Sequence, residues 1–268
     1  MRPVAPVNPE NGGNRLRSVT FGNELFVAVG NNGTILHSED GETWIKQQGN
    51  TGVNYDLNKV EFLNGNFLVL GEKKVLTSTS GENGSWTTVV NTHFANRNLQ
   101  AATFLSSSNK YVVVGDSGTF MTSTNLTAWN QSDAFGETTD NVEDNILDVS
   151  FGNGNLLIAL AEGGKLIKTS DALTWVEEGQ TVNDAVGITF ANGHFVAVGP
   201  GGDIFHDHPG NWQPMNSGSN KDLNYITHVN GKFIAVGNQS EIVINTDRIE
   251  IHKEKSDVSL FNLDDDLD

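Results

Sequence analysis

The stretch FVAVGNNGTILHSEDGETW, residues 26–44, reads as two short strands joined by a tight turn and followed by a polar loop that ends on a tryptophan. Runs of Val, Ile, Phe and Thr bounded by Asn-Gly and Asp-Gly suit a pleated sheet that turns back sharply, and they lack the period of a helix. The last eight residues, His37 to Trp44, also gather a histidine, a serine and several acids, the composition of a catalytic patch. Repetition separates the two readings, because a catalytic constellation needs no copies.

The copies are there. All five tryptophans, Trp44, Trp86, Trp129, Trp175 and Trp212, follow an apolar marker at a near-constant interval: FVAVG at 26–30, FLVLG at 67–71, YVVVG at 111–115, LIALA at 157–161 and FVAVG at 195–199. A sixth marker, FIAVG at 233–237, is followed by Ile251 where a tryptophan is expected. Units of about 36 to 46 residues match the period of propeller blades. Within a unit the pattern is four strands, as in RSVTF, LFVAVG, TILHS and TWIKQ of the first. The turn between the first two recurs as GNE, LNGN, GNGN, ANGH and VNGK, and Asn-Gly supplies the positive φ that a tight hairpin needs. Six sheets with two apolar faces each are stabilised by radial stacking. The expected fold is all-β, a six-bladed β-propeller of four-stranded antiparallel blades. The propeller spans 14–252, an N-terminal arm occupies 1–13 and completes the last blade, and an acidic C-terminal tail occupies 253–268.

The polar octapeptide is then the turn between the third and fourth strands of blade 1. Its relatives are SGENGSW at 80–86, STNLTAW at 123–129, TSDALTW at 169–175 and HDHPGNW at 206–212. These resemble the Asp-box repeat of BNR, sialidase-like and photosystem II assembly factor-like propellers, over residues 15–252. The resemblance implies a structural role for Ser38, Asp40, Trp44, Trp86, Trp129, Asp171, Trp175 and Trp212, on the side away from any ligand. Physical chemistry agrees: a Ser or Asp oxygen accepts the N–H groups that a turn leaves free, and a tryptophan fills the gap between blades.

The same resemblance tests for an enzyme. A sialidase would need three clamping arginines, a tyrosine nucleophile and an acid pair. The five arginines here are Arg2, Arg15, Arg17, Arg97 and Arg248, and none forms a triad with Tyr55 or Tyr225 in the repeat alignment. The expectation is a protein that is not an enzyme. Aligning the first strands does bring a polar ring to the channel mouth: Arg15, Asp56, Asn98, Asn145, Asp184 and Asp222, with Arg17 and Asn58 two residues on. Convergent polar groups in a concave mouth suit a small polar ligand such as a glycan. Asp56 with Asp184 or Asp222 is the best pair for glycoside cleavage.

Composition narrows the partners. A net charge of −17 excludes a surface made for phosphates or an anionic membrane, so neither nucleic acid nor membrane insertion is expected. No run approaches the roughly 18 apolar residues of a membrane span, and the first residues lack the apolar core of a signal peptide. The absence of cysteine removes disulfides and thiolate metal sites. No cofactor is expected. The acidic loop 133–144 could hold calcium but lacks the ordered spacing of a calcium loop, and the two histidines of HDH at 206–208 make an incomplete metal site.

The C-terminal tail SDVSLFNLDDDLD alternates acids with Leu260, Phe261, Leu263 and Leu267, a pattern suited to docking on a protein partner. The sequence thus favours a structural interaction module in a larger assembly, such as a virion, secretion apparatus or surface complex. A glycan-active propeller is the alternative, and an escort protein like the photosystem assembly factors is the second.

Overall fold

The computed structural model describes residues 15–47, 55–94, 97–132, 144–152, 154–208, 211–245 and 258–261. Its strands form six four-stranded sheets, each built from strands consecutive in the chain, and the fold is a six-bladed β-propeller. Besides strands, the described residues form only short 3-10 turns. The chain divides into two compact units, Met1–Phe104 with Asn109–Gln131, and Leu105–Ser108 with Ser132–Asp268.

Each blade opens with a first strand: Leu16–Gly22, Leu57–Leu63, Leu99–Leu105, Ile146–Gly152, Gly187–Ala191 and Leu223–Val229. The apolar marker is the second strand, as in Leu25–Gly30 and Asn66–Gly71. The hairpin turns between them take positive φ as Asn-Gly requires: Asn64 and Gly65 at 46° and 78°, Asn192 and Gly193 at 53° and 87°, Asn230 and Gly231 at 52° and 76°. Blade 1 places Asn23 and Glu24 in the same conformation, at 46° and 60°.

The glycine that ends the marker is there for space, since its backbone is extended. A Cβ on Gly30 would lie 2.1 Å from the Arg15 carbonyl oxygen, and one on Gly237 would lie 2.0 Å from that of Asp222. The first strand starts where this glycine lets it pass. Four first strands carry one extra residue directly after their start, which leaves Arg17, Asn58, Leu147 and Asn224 outside the pairing. Such a bulge bends the strand and re-aims its side chain.

Neighbouring blades pack face to face. Val29 and Ile35 of blade 1 meet Leu57 and Val60 of blade 2 in one buried cluster, and Val198 and Ile204 of blade 5 meet Leu223 and Ile226 of blade 6 in another. Trp129 is buried in the cluster shared by blades 2 and 3, beside Phe94 with ring centroids 5.8 Å apart. Trp212 occupies the matching place in the cluster of blades 4 and 5.

Blade 6 departs from the sequence reading, in which Ile251 stands where the fourth strand's tryptophan is expected. The fourth position is filled by Val258–Phe261, from within the tail, running parallel to Ile242–Asn245. A parallel neighbour needs a long return connection, and residues 246–257 supply it. Ile251 and the N-terminal residues 1–13 lie outside the described residues.

Candidate functional site

The octapeptide turn is a closed hydrogen-bonding unit. Ser38 Oγ donates to Asp40 Oδ1 at 2.9 Å and accepts the Gly41 N–H at 2.9 Å. Asp40 Oδ1 also accepts the N–H groups of Glu42 and Thr43 at 2.8 and 2.7 Å. The backbone N–H groups of Thr43 and Glu42, then the Ser38 hydroxyl, hold the Asp40 carboxyl down at about 2. Trp44 Nε1 donates to the Gly41 carbonyl at 3.2 Å. Blade 3 repeats the scheme with Ser123, Asn125, Leu126 and Trp129, and blade 4 with Thr169, Asp171 and Ala172. The His37 ring accepts the Gln47 side-chain amide at 2.9 Å, so no serine–histidine pair forms.

The polar residues expected at the channel mouth start the first strands. In the first unit, Arg17 is their centre. Its guanidinium donates to Asn31 Oδ1 at 2.7 Å, Asn58 Oδ1 at 2.8 Å and Asp56 Oδ2 at 2.6 Å. Asn58 passes the chain on, donating to Asn98 Oδ1 at 2.7 Å and to the Leu99 carbonyl at 2.9 Å. Asp56 Oδ1 accepts the Asn32 N–H, in the 3-10 turn of the preceding blade, at 3.1 Å. Arg15 is exposed, and its carbonyl accepts the Asn31 N–H at 3.0 Å. The structure therefore brings Arg17, Asp56, Asn58 and Asn98 into one network that ties three blades.

The second unit uses the same device in fewer places. Asp222 Oδ1 accepts the Gly201 N–H of the preceding blade at 2.9 Å, and its Oδ2 accepts from Asn238 Nδ2 at 3.0 Å. Asn145 Nδ2 donates to Glu162 Oε1 at 2.8 Å. Lys165 pairs with Asp144, whose hydrogen bond and charge raise the Lys165 pKa. Asp184 is exposed, with φ of 54°, and its carboxylate takes no hydrogen bond from the described residues.

Several groups escaped the sequence reading. Arg97 donates to the Ser117 carbonyl at 2.6 Å and to Thr119 Oγ1 at 3.2 Å, which pins the approach to blade 3 against that blade's own turn. The Tyr55 ring lies 5.7 Å from the ammonium groups of both Lys73 and Lys74. A cavity of about 620 Å³ opens at the hairpin-turn end of blades 1 and 2, lined by Asn23, Glu24, Leu25, Glu39, Thr79, Ser80 and Glu82. Asn23 Nδ2 bridges it to the Thr79 carbonyl at 2.6 Å. No residue pattern in the sequence marks this hollow.

The metal candidates fare as follows. His206 is buried, and its neighbour Asp207 accepts the Phe195 N–H at 2.7 Å beside His194. Burial raises the Asp207 pKa. Among the described residues, no group of three His, Cys, Asp or Glu side chains is placed to hold a metal ion. Of the calcium candidate 133–144 only Asp144 is described, paired with Lys165, and the tail side chains of Leu260, Phe261, Leu263 and Leu267 lie outside what is described. No helix among the described residues is long and apolar enough to cross a membrane.

No protein-family model matches the sequence, and no curated protein does. Solved structures match well in shape. YCF48 bound to D1 peptide is 15% identical with a TM-score of 0.68, over 86% of this chain and 78% of that one. YCF48 from Cyanidioschyzon merolae is 18% identical at 0.67, over 85% and 81%. The Neurospora crassa Pan2 WD40 domain is 12% identical at 0.67, over 96% and 82%. An ancestral GH74 enzyme is 14% identical at 0.65, over 90% of this chain and 37% of that one. At such identities the likeness is one of fold.

Proposed function

We propose that this chain is a non-enzymatic propeller that acts as an interaction module, holding a protein partner within a larger assembly. The observation that carries this reading is the engagement of the polar side chains that start the first strands. A glycosidase needs one carboxyl free to give a proton and a second to attack or direct water. Asp56 and Asp222, two of the best candidates, have both oxygens occupied: Asp56 by Arg17 and Asn32 of the preceding blade, Asp222 by Gly201 of the preceding blade and Asn238 of its own. YCF48 is seen with a bound D1 peptide, which supports peptide recognition as a use for blades of this shape. The Asp-box ancestry of the blades fits the repeated hydrogen-bonded turns, and a virion, secretion or surface complex is the setting that the tail favours.

The contact surface we assign to the partner is the tail beyond Phe261, where Leu263 and Leu267 alternate with Asp264, Asp265, Asp266 and Asp268. Deleting residues 262–268 spares the last strand of blade 6. The full chain should co-elute with a protein partner from its native source, and the truncated chain should elute alone. Equal co-elution by both would remove the tail from the interface, and elution of both alone would remove the module reading.

A second reading rests on Asp184, whose exposed carboxylate stands unengaged among the described residues. If it serves a glycan, a glycan array will show binding by the full chain that Asp184→Asn abolishes. An array with no binding ends this reading.

A further inference from the structure

An Asn-Gly pair can modify itself, because glycine has no Cβ to shield its backbone nitrogen from the preceding side-chain amide. Ring closure needs the peptide between the two residues to rotate, so a well-held turn suppresses it. Five such pairs lie among the described residues, and four are firmly held. Asn64-Gly65, Asn192-Gly193 and Asn230-Gly231 are two-residue turns clamped by the strand pairs Leu63 with Asn66, Ala191 with His194 and Val229 with Lys232. In the fourth, the Gly33 N–H donates to the Tyr55 carbonyl at 2.7 Å and the Asn32 N–H to Asp56 Oδ1 at 3.1 Å.

Asn83-Gly84 is held less well. It lies in the box turn of blade 2, between strands that end at Ser78 and resume at Thr87, and the nearest strand pair is Thr77 with Thr87. Ser80 stands where blades 1, 3 and 4 carry Asp40, Asn125 and Asp171, each of which holds two turn N–H groups at 2.7 to 3.0 Å. The Glu82 N–H reaches Ser80 Oγ at 3.3 Å, and the Ser85 N–H and hydroxyl close the turn on the Glu82 carbonyl at 3.2 and 2.6 Å. Glu82, Asn83 and Gly84 are all exposed.

We propose that the fold selects Asn83, among these five pairs, as a site of spontaneous conversion to isoaspartate. The Gly84 nitrogen gives up its proton and bonds to the Asn83 side-chain carbonyl carbon. The carbon–nitrogen bond of the side-chain amide breaks, and ammonia leaves carrying that proton. Water then opens the cyclic imide at either carbonyl, giving aspartate or, with one more methylene in the backbone, isoaspartate. Either product adds a carboxylate beside Glu82, which with Glu24 and Glu39 already lines the hollow of blades 1 and 2.

Peptide mapping of the full chain, kept folded in mildly alkaline buffer, tests this. Isoaspartate should form at Asn83 at least about ten-fold faster than at Asn32, Asn64, Asn192 or Asn230, the factor that breaking one or two flanking backbone hydrogen bonds supplies. In denaturant the five rates should converge, since local sequence alone then sets them. Ser80→Asp, which restores the missing acceptor, should slow the reaction at Asn83 in the folded chain at least about three-fold. A folded-state rate at Asn83 no higher than at the other four overturns the proposal. So does a lead at Asn83 that persists in denaturant, or an unchanged rate in Ser80→Asp.

Discussion

Replacing Arg17 by methionine keeps the aliphatic bulk and removes the three hydrogen bonds, of 2.6 to 2.8 Å, that join Asn31, Asp56 and Asn58. The two charged side chains are 37% and 29% exposed, so water screens the pair and the surface scale of about 0.2–1 kcal/mol applies to it. The two bonds to neutral amides add about 0.5 kcal/mol or more each. The expected loss is about 1–2 kcal/mol, or roughly 3–6 °C in Tm for a chain of this size. A double-mutant cycle with Asp56→Asn, read by chemical denaturation, isolates the shared part and should give a coupling of about 0.5–1 kcal/mol. Raising salt to about 1 M, where the screening length is near 3 Å, should shrink that coupling without abolishing it. A Tm for Arg17→Met within about 1 °C of the parent, or strict additivity in the cycle, would refute the claim that this network holds blades together.

Gly152→Ala places a Cβ 2.0 Å from Cγ of Phe190, a ring tilted against Phe195, and should cost about 1–3 kcal/mol by overpacking; on a Phe190→Ala background the same change should cost almost nothing. Glu24 sits at φ 60° in an exposed hairpin turn where blades 2, 5 and 6 carry glycine, so Glu24→Gly should stabilise by about 1 kcal/mol in denaturant titration. Asp40 is held at about 2 when folded, below its ordinary 3.8, so its stabilising effect is complete above about pH 4 and disappears as pH falls through 2. Asp40→Asn should therefore lower Tm at pH 7 and match the parent near pH 2. The neutral-pH loss should be small, since Asn125 accepts the same N–H groups in blade 3.

Much of the fold could be read because the sequence states it locally and repeatedly. Asn-Gly fixes a turn conformation that does not depend on distant contacts, and six markers with five tryptophans count the blades. The hydrogen bonds of Ser38 and Asp40 were legible for the same reason, since their partners are the next few N–H groups. The polar residues at the strand starts were legible in position and not in role. A carboxylate at the position of Asp56 or Asp222 looks the same in sequence whether it faces a ligand or a backbone N–H of the preceding blade. The bulge that re-aims Arg17 depends on cross-strand register, which no single strand reveals. Phe94, within a stretch that reads as a long loop, is a buried partner of Trp129, because one aromatic in a polar run carries no period. The parallel last strand was hidden for a different reason. Its partner lies across a return connection, and tail composition alone reads as a docking peptide.

The central claim is that the strand-start residues hold blades while the tail meets the partner. Two variants compared for partner co-elution and Tm in one experiment test it most directly: Arg17→Met with Asp56→Asn, and the deletion of 262–268. The account predicts a lowered Tm with retained partner for the first, and an unchanged Tm with lost partner for the second. A strand-start variant that melts like the parent yet loses the partner, beside a truncated chain that keeps it, would contradict the account.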